Sequence, residues 1–362
     1  MLNAKGEHTK IRTKFQNGLP DVHSPVEPRL YPTFKGQATS EYLDLVLSRR
    51  DKQSREVIDA AINQIASDNT SGAAEILRRA GTVFTLLNTR SSGQVTDNSE
   101  LAHQAVVQTC IALALAQPDM SALLRLASAA LSAARIATGA RESLEAAQDA
   151  ALNFIGNAER GSRDAALHAA ALIRDGAAVL THSRSSTVLA AFLEAKRQGR
   201  DFSVVATESR PMLEGRALAE AIASQDILVT LIADAAASLA MEHVELVMVG
   251  ADKITPANLV NKIGTRMIVL AARERDLPVY ALCDTSKFIR EDYFGRGIRD
   301  PGGTNELWTE APRGVAVVNR CFEPTPLAFF TSIITEDGAL SIKEVARRAK
   351  RAAIDKELVN AF

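Results

Sequence analysis

The spacing of hydrophobic residues changes character at about residue 175. Before that point, apolar residues recur every three or four positions, as in the stretches 42–47 and 57–65, and residues 99–173 are very rich in alanine. Alanine loses little entropy in a helix and allows helices to pack closely. The pattern therefore predicts an all-helical domain over residues 39–172, which begins at the capping residue Thr39. Its helices are expected to be separated by breaks at Gln117-Pro118-Asp119, Gly139 and Gly161.

Short runs of β-branched and aliphatic residues alternate with helical segments after Asp175-Gly176. This alternation is typical of a parallel, doubly wound sheet, so we expect an α/β domain over residues 173–362. The predicted strands, numbered in chain order, are 178–181, 202–207, 228–232, 246–249, 278–282 and 315–318. With the usual spatial order 3-2-1-4-5-6, the first and fourth strands lie side by side.

Residues 1–38 show neither pattern. Four prolines, at positions 20, 25, 28 and 32, are spread among polar residues without a period. Proline interrupts both helices and strand ladders, so we expect an irregular N-terminal arm that lies over the body of the protein or over a partner.

Five of the predicted strands end in polar residues. These are Thr181-His182-Ser183, Glu208-Ser209-Arg210, Asp234, Gly250-Ala251-Asp252 and Asp284-Thr285-Ser286. The carboxyl ends of parallel strands form one rim, and ligands bind where the strand order reverses. That reversal places Ser183 opposite Asp252, and this pair is where we expect chemistry. For Asp234 and Ser209 we expect the common role of a helix cap, whereas His182 fits a ligand contact and a packed core residue equally well.

Phosphate is the ligand class that this rim favours. Several helix N-termini and basic residues face it, and the stretch Asn261-Lys262-Ile263-Gly264-Thr265-Arg266 opens the helix after the fourth strand. No Walker A sequence is present and no GxGxxG follows the first strand, which argues against nucleotide triphosphatases and dinucleotide dehydrogenases. We therefore predict no cofactor.

Composition narrows the function further. Lys and Arg number 42 and Asp and Glu number 43, for a formal net charge of −1, which argues against strong nucleic-acid binding. No apolar run reaches the ~18 residues of a membrane span. The three cysteines are far apart, which argues against a disulfide framework and against a metal site. The N-terminus also lacks the apolar core of a signal peptide, so we expect a cytoplasmic protein.

The rim motifs resemble a known superfamily. It contains the α, β and δ regulatory subunits of translation initiation factor 2B, methylthioribose-1-phosphate isomerase and ribose-1,5-bisphosphate isomerase. The similar stretches lie between residues 178 and 340 and are Thr181 to Ser186, Thr207 to Pro211 with Gly215-Arg216, Val249 to Ile254, Asn261 to Thr265, Cys283 to Phe288, Thr325-Pro326 and Ile334 to Gly338. The resemblance implies a Rossmann-like second domain through which the chain forms a homodimer.

The resemblance also implies which residues act. The isomerases use a cysteine after the first strand together with the aspartate of a Gly-Ala-Asp motif; here the aspartate is Asp252, but Ser183 stands at the cysteine position. An aliphatic hydroxyl is a far weaker acid than a thiol and needs a base beside it. Cys283, after the fifth strand, could face the same crevice, although a small buried hydrophobe is its commoner role.

Phosphate-binding residues are implied as well, with one departure. The isomerases' Arg-Gly-Ala turn appears here as Ser71-Gly72-Ala73, without the arginine. We expect ligand contacts from His182, Arg184, Glu208, Arg210, Asn261, Lys262 and Arg90.

Three functional hypotheses follow. In the first, the chain is an initiation-factor-2B-like protein that binds a phosphorylated sugar or a nucleoside monophosphate, with isomerase chemistry lost or altered. In the second, it is an active aldose-phosphate to ketose-phosphate isomerase in which Asp252 is the main acid and base and Ser183 or Cys283 is its partner. In the third, it is a protein-contact subunit of a translation factor complex.

Overall fold

A computed structural model describes residues 49–68, 71–91, 98–296 and 303–361 of the chain. The predicted arm at 1–38 and the predicted helix start at Thr39 lie outside these residues. The first part of the described chain consists of helices, namely α1 (Arg49–Ser67), α2 (Ala73–Ser91), α3 (Ser99–Ala116), α4 (Ser121–Ile136) and α5 (Ala140–Ala170).

The five helices bury one shared apolar core. Large fully buried residues come from all of them, among them Ile65, Phe84, Leu113, Leu126 and Leu144. Alanine is the most frequent residue type in this core, as the composition predicts.

Two of the three predicted helix breaks are confirmed. Residues 117–119 separate α3 from α4, and Gly139 is the residue before α5. The break at Gly161 is wrong, because α5 runs through it to Ala170. A Cβ atom at Gly161 would lie 2.9 Å from Cβ of Asp284, so glycine is needed there for close packing against a neighbouring turn.

The second half contains a seven-stranded sheet. Its strands are β1 (Ala177–His182), β2 (Phe202–Thr207), β3 (Leu228–Ile232), β4 (Leu246–Gly250), β7 (Val279–Leu282), β9 (Ser332–Thr335) and β10 (Gly338–Leu340). Their order is β10-β9-β7-β4-β1-β2-β3, with β10 antiparallel to β9 and the other pairs parallel. The predicted neighbourhood of the first and fourth strands is confirmed, since β1 pairs with β4 in parallel.

Helices cover both faces of this sheet. They are α6 (Ser186–Arg197), α7 (Glu214–Ala223), α8 (Ala237–Ala240), α9 (Thr265–Glu274) and α10 (Ile342–Arg351). Neighbouring strand residues point to opposite sides: Val179 packs with α6, α7 and the end of α5, and Leu180 packs with α8, α9 and α10. The mixed α/β fold with N-terminal helices is therefore confirmed.

The predicted sixth strand is wrong. Residues 315–318 form no strand, and Val315 and Val318 are about half exposed. β9 takes the sixth place, beside β7. A separate three-stranded sheet is formed by β5 (Lys253–Ile254), β6 (Asn258–Lys262) and β8 (Phe322–Pro326).

The C-terminal segment returns to the first half of the molecule. After α10, the short helix α11 (Lys356–Ala361) contacts α3, and Ile354 and Leu358 join the core of the N-terminal helices. None of the helices within the described ranges has the length and hydropathy that a membrane-spanning helix requires.

Candidate functional site

A cavity of about 1320 Å³ lies at the C-terminal ends of the central strands. Ser183 after β1, Asp252 after β4 and Asp284 after β7 all line it, as the strand order predicts. The N-terminal helices also contribute to its wall, through Gly72 immediately before α2 and through Glu159, Ser162 and Arg163 of α5. Both halves of the chain therefore build the cavity.

Ser183 is held in an unusual backbone conformation. Its φ angle is 66°, in the left-handed region, and its N–H donates to Oγ of Ser209 at 2.8 Å. Its own hydroxyl donates to Oε1 of Glu214 at 2.9 Å. The hydroxyl is thus paired with a carboxylate, the base that a serine needs to take part in proton transfer.

Glu214 is the centre of a short polar chain that sequence reasoning missed. Nζ of Lys262 lies 2.9 Å from the same Oε1 atom and 4.9 Å from the centre of the Phe322 ring. The second oxygen, Oε2, is buried and has no hydrogen-bond partner among the described residues. Gly215 is the sequence feature that could have pointed to Glu214. A Cβ atom at Gly215 would lie 1.8 Å from the carbonyl oxygen of Thr207, so the start of α7 packs directly against the end of β2.

Asp252 is the second acidic group of the cavity. Its backbone N–H donates to the carbonyl of Val260 at 2.9 Å, and its carbonyl oxygen lies 3.2 Å from Oγ of Ser121. Burial raises the pKa of its carboxyl group, although the ammonium groups of Lys287 and Lys262 act in the opposite direction. Asp252 therefore holds a proton more readily than an exposed aspartate, as a general acid must.

The turn after β7 adds three further groups. The Asp284 carboxylate accepts from the N–H of Ser286 at 3.0 Å and from Oγ of Ser162 at 3.1 Å, which ties the turn to α5. Lys287 is buried beside it and lines the cavity. Burial raises the pKa of the Cys283 thiol well above its usual range, so this cysteine is not a ready thiolate.

His182 lines the cavity, and hydrogen bonds hold its ring on both sides. Its side chain is fully buried, and Nε2 lies 2.8 Å from the carbonyl of Ile263, which can only accept. Nε2 therefore carries the hydrogen, and Nδ1 accepts from Oγ1 of Thr207 at 2.6 Å. Burial lowers the pKa of the ring, which favours this neutral form. With both nitrogens occupied, His182 joins β1 to β2 and to the turn before α9.

The other predicted ligand contacts divide into two groups. Arg184, Asn261 and Lys262 line the cavity, and Nδ2 of Asn261 donates to Oγ1 of Thr265 at 2.9 Å. Glu208 and Arg210 do not line it, since Glu208 is paired with Arg216 at 2.9 Å and Arg210 is exposed. The side chain of Arg90 lies outside the described part of the chain.

The loop after β2 explains why Glu208 and Arg210 point elsewhere. The carboxylate of Asp234 accepts from the N–H groups of Ser209 and Arg210, both at 2.7 Å. Our expectation that Asp234 and Ser209 cap helices is therefore wrong, because Asp234 fixes this loop and Ser209 receives the N–H of Ser183. Met212 and Leu213 of the same loop, and Glu214 at the start of α7, line the cavity instead.

Positive groups of two kinds face the cavity. The helix N-termini at Gly72–Ala74 and at Ser185–Thr187 contribute backbone N–H groups. The exposed arginines Arg163, Arg184 and Arg320 stand at its wall and form no salt bridge with another described residue. This arrangement suits a phosphate group, and the described residues contain no cluster of three or more metal-ligating side chains.

Comparison with known proteins finds relatives that are similar over about half of the chain. A ribose 1,5-bisphosphate isomerase of Archaeoglobus fulgidus is 38% identical over 172 residues, which cover 46% of this chain and 55% of the relative. A putative translation initiation factor eIF-2B subunit 2-like protein of Pyrococcus furiosus is 36% identical over 188 residues, 52% of this chain and 66% of the relative. The chain thus spans between half and two thirds of these relatives.

Solved structures share the fold across most of the chain. The crystal structure of the Pyrococcus horikoshii translation initiation factor eIF-2B superposes with a TM-score of 0.67 at 28% identity, over 79% of this chain and 97% of the other. The fold is also that of a 5-methylthioribose 1-phosphate isomerase from the same organism, with a TM-score of 0.63 at 21% identity over 82% and 87%. The model of the Initiation factor 2 subunit family matches residues 38–342. The helical first half, the parallel sheet and this match together show that the chain belongs to the Initiation factor 2 subunit family.

Proposed function

We propose that the chain binds a small phosphorylated sugar or a nucleoside monophosphate in the cavity. The main supporting observation is that the cavity wall contains two kinds of polar group. Arginines and helix N-termini supply sites for phosphate oxygens, and the carboxylate of Asp252 and the hydroxyl of Ser183 supply partners for sugar hydroxyls. Relatives named ribose 1,5-bisphosphate isomerase and 5-deoxyribose 1-phosphate isomerase support a pentose phosphate.

A second candidate function is isomerisation of an aldose phosphate to a ketose phosphate. The supporting observation is Asp252, whose pKa is raised by burial while Lys287 and Lys262 act on it from the same cavity. Ser183 stands where the isomerases have a cysteine, and burial raises the pKa of the Cys283 thiol, which favours its protonated form. The chemistry therefore proceeds without a thiolate.

Ligand binding is tested by calorimetry with ribose 1,5-bisphosphate, AMP and unphosphorylated ribose. We expect the phosphorylated compounds to bind and ribose not to bind, and a ligand at 100 times its Kd to stabilise the fold by about 2.7 kcal/mol. Arg184→Gln is expected to weaken binding roughly 10- to 100-fold, because it removes a charged hydrogen bond to phosphate.

Arg197→Gln is the matched control. Arg197 lies at the far end of α6, is exposed and pairs with Glu194 at 2.6 Å. Equal affinities for ribose and its bisphosphate, or equal losses in the two variants, would contradict phosphate recognition in this cavity.

We also propose that the chain forms a cytoplasmic homodimer through its sheet domain. The edge strand β3 supports this, because Leu228 is 75% exposed and Leu231 is 43% exposed. Light scattering after size exclusion should give twice the mass of 38.9 kDa. Leu228→Glu should shift the protein to the monomer, and a monomeric wild type would refute the proposal.

A further inference from the structure

Ser183, Glu214 and Lys262 form a hydrogen-bonded chain in the wall of the cavity. The Ser183 hydroxyl donates to Oε1 of Glu214, and Nζ of Lys262 lies 2.9 Å from that oxygen. The Glu214 and Lys262 side chains are 14% and 9% exposed. Burial strengthens the interaction of such groups with each other and with a bound ligand.

The backbone fixes this chain on both sides. Ser183 is kept in the left-handed region by the hydrogen bond from its N–H to Ser209, and Glu214 is the first residue of α7. A negative side chain is favourable in the first turn of a helix. The arrangement is therefore built into the loops after β1 and β2 and does not depend on a bound molecule.

We propose that Glu214 is the positioning residue that makes Ser183 able to move a proton, so that the pair acts as the partner of Asp252 in a sugar-phosphate isomerisation. This inference rests on the second candidate function above. It explains why a carboxylate is directed at a hydroxyl that would otherwise be a weak acid and a weak base. Lys262 keeps the carboxylate of Glu214 in place and offsets its charge.

The proton balance assigns a role to each group. Conversion of an aldose 1-phosphate to a 2-ketose breaks the bond between C1 and the ring oxygen, and the hydrogen of C2 moves with its bonding electrons to C1. The 2-hydroxyl then loses its proton as it becomes a carbonyl, and the ring oxygen gains one proton.

In the cavity, Oγ of Ser183 accepts the proton of the 2-hydroxyl while its own proton passes to Glu214. Protonated Asp252 donates to the ring oxygen as the bond to C1 breaks. Water then returns the proton from Glu214 to Asp252, so that both groups are restored and no other reactant is consumed.

The test compares variants of the full chain with ribose 1,5-bisphosphate as the probe. Turnover is followed by NMR and binding by calorimetry. Glu214→Gln should lower kcat roughly 10²- to 10⁴-fold while KM and Kd change only a few-fold, because general base catalysis is lost. Glu220→Gln, an exposed carboxylate of the same helix, should leave all three unchanged.

The discriminating variant is the double change Ser183→Cys with Glu214→Gln. A thiol, with a pKa of ~8.5, ionises without help from a carboxylate, so the double variant should recover at least about tenfold of the turnover lost in Glu214→Gln. A purely structural role for Glu214 would give no such recovery. If Glu214→Gln does not fold, Glu214→Asp with and without Ser183→Cys makes the same comparison, because the shorter side chain withdraws the carboxylate from Ser183.

The outcomes separate this inference from the function on which it rests. A wild type that binds none of the phosphorylated ligands overturns the proposed function and the inference with it. Binding without turnover in the wild type overturns the isomerase function and the inference that rests on it, and leaves ligand binding standing. Turnover in the wild type with full turnover in Glu214→Gln, or with a loss that Ser183→Cys does not relieve, overturns the inference alone and leaves the isomerase function standing.

Discussion

At the scale of single residues, Asp252 makes the stability of the protein depend on pH. Its folded-state pKa is raised, mainly by burial, so the folded protein retains a proton that the unfolded chain releases. The stability that this proton contributes is complete below the unfolded-state value of ~3.9 and is lost as the pH rises through the folded-state value.

Asp252→Asn removes this loss of stability at high pH, because asparagine does not ionise. We expect the variant to melt a few degrees above the wild type at pH 8, and the difference to shrink as the pH falls towards 4. Melting curves across that range measure it, with the exposed Asp149→Asn as the control that should shift little at any pH. A difference that grows on acidification would contradict a raised pKa.

The residues of the site could be predicted in part. Ser183 and Asp252 could be predicted because each follows a recognisable run of buried strand residues, and parallel strands bring their carboxyl ends to one rim. Glu214 could not be predicted, because it lies 31 residues from Ser183 in the sequence and their contact depends on the path of the loop after β2. Glu208 misled for the same reason, since the loop fixed by Asp234 directs it to Arg216 and not to the cavity.

At the scale of elements, Gly161 allows α5 to pack closely against the turn after β7. A Cβ at position 161 would lie 2.9 Å from Cβ of Asp284 and 3.3 Å from Cδ of Glu336. We expect Gly161→Ala to cost about 1–3 kcal/mol of unfolding free energy, because the helix or the turn must move. Ligand affinity should fall as well, since Asp284 lines the cavity.

Gly156→Ala is the matched control in the same helix. A Cβ there meets only Nη1 of Arg160, at 3.4 Å, the far end of a flexible side chain. Alanine has the higher helix propensity, so this variant should be more stable by up to about 1 kcal/mol. Denaturant midpoints that move in the same direction for both variants would refute the packing argument.

The error over the sixth strand also belongs to this scale. Val315 to Val318 has the β-branched composition of a strand, but no neighbouring strand offers it a place in the sheet. The edge of β7 is taken by β9, in the register Tyr280↔Ser332. Local propensity could not distinguish these two runs, because pairing across about 50 residues decides the outcome.

At the scale of the whole molecule, Asp355 attaches the C-terminal segment to α4 through hydrogen bonds. The Asp355 carboxylate accepts hydrogen bonds from Ser132 at 3.0 Å and from Arg135, and its backbone N–H donates to Ser128 at 2.8 Å. Burial opposes ionisation of Asp355, but the hydrogen bonds from Arg135, Ser132 and the N–H of Glu357 hold its pKa below the usual value.

Asp355→Asn should therefore lower the unfolding free energy by roughly 1.5–3 kcal/mol at neutral pH, the range for hydrogen bonds to charged groups. Because the pKa is lowered in the folded state, this stabilisation is present above the unfolded-state pKa and is lost as the pH falls through the folded-state pKa. Hydrogen exchange should rise in α11 and α4. Asp337→Asn, which breaks an exposed pair with Arg348, should cost at most about 1 kcal/mol, and a larger loss there than at Asp355 would contradict the assignment.

Polar contacts join the two halves beside the cavity. Oγ of Ser121 donates to the carbonyl of Lys287 at 2.7 Å, Arg125 donates to the carbonyl of Thr285, and Nζ of Lys253 donates to the carbonyl of Pro118 at 3.1 Å. The first two hold the turn that carries Lys287 and Asp284, and the third holds β5 immediately after Asp252. The helical half thus sets the positions of cavity residues that belong to the sheet.

Helix α5 runs through both halves of the molecule and limits their relative movement. Its 31 residues give a rod of about 46 Å, whose first turns lie in the helical core and whose last turns lie on the sheet. A continuous helix bends far less readily than a peptide linker, so the halves are poorly suited to open and close as a hinge. Ligand exchange should therefore occur through the mouth of a standing cavity, at a rate set by diffusion and charge rather than by domain opening.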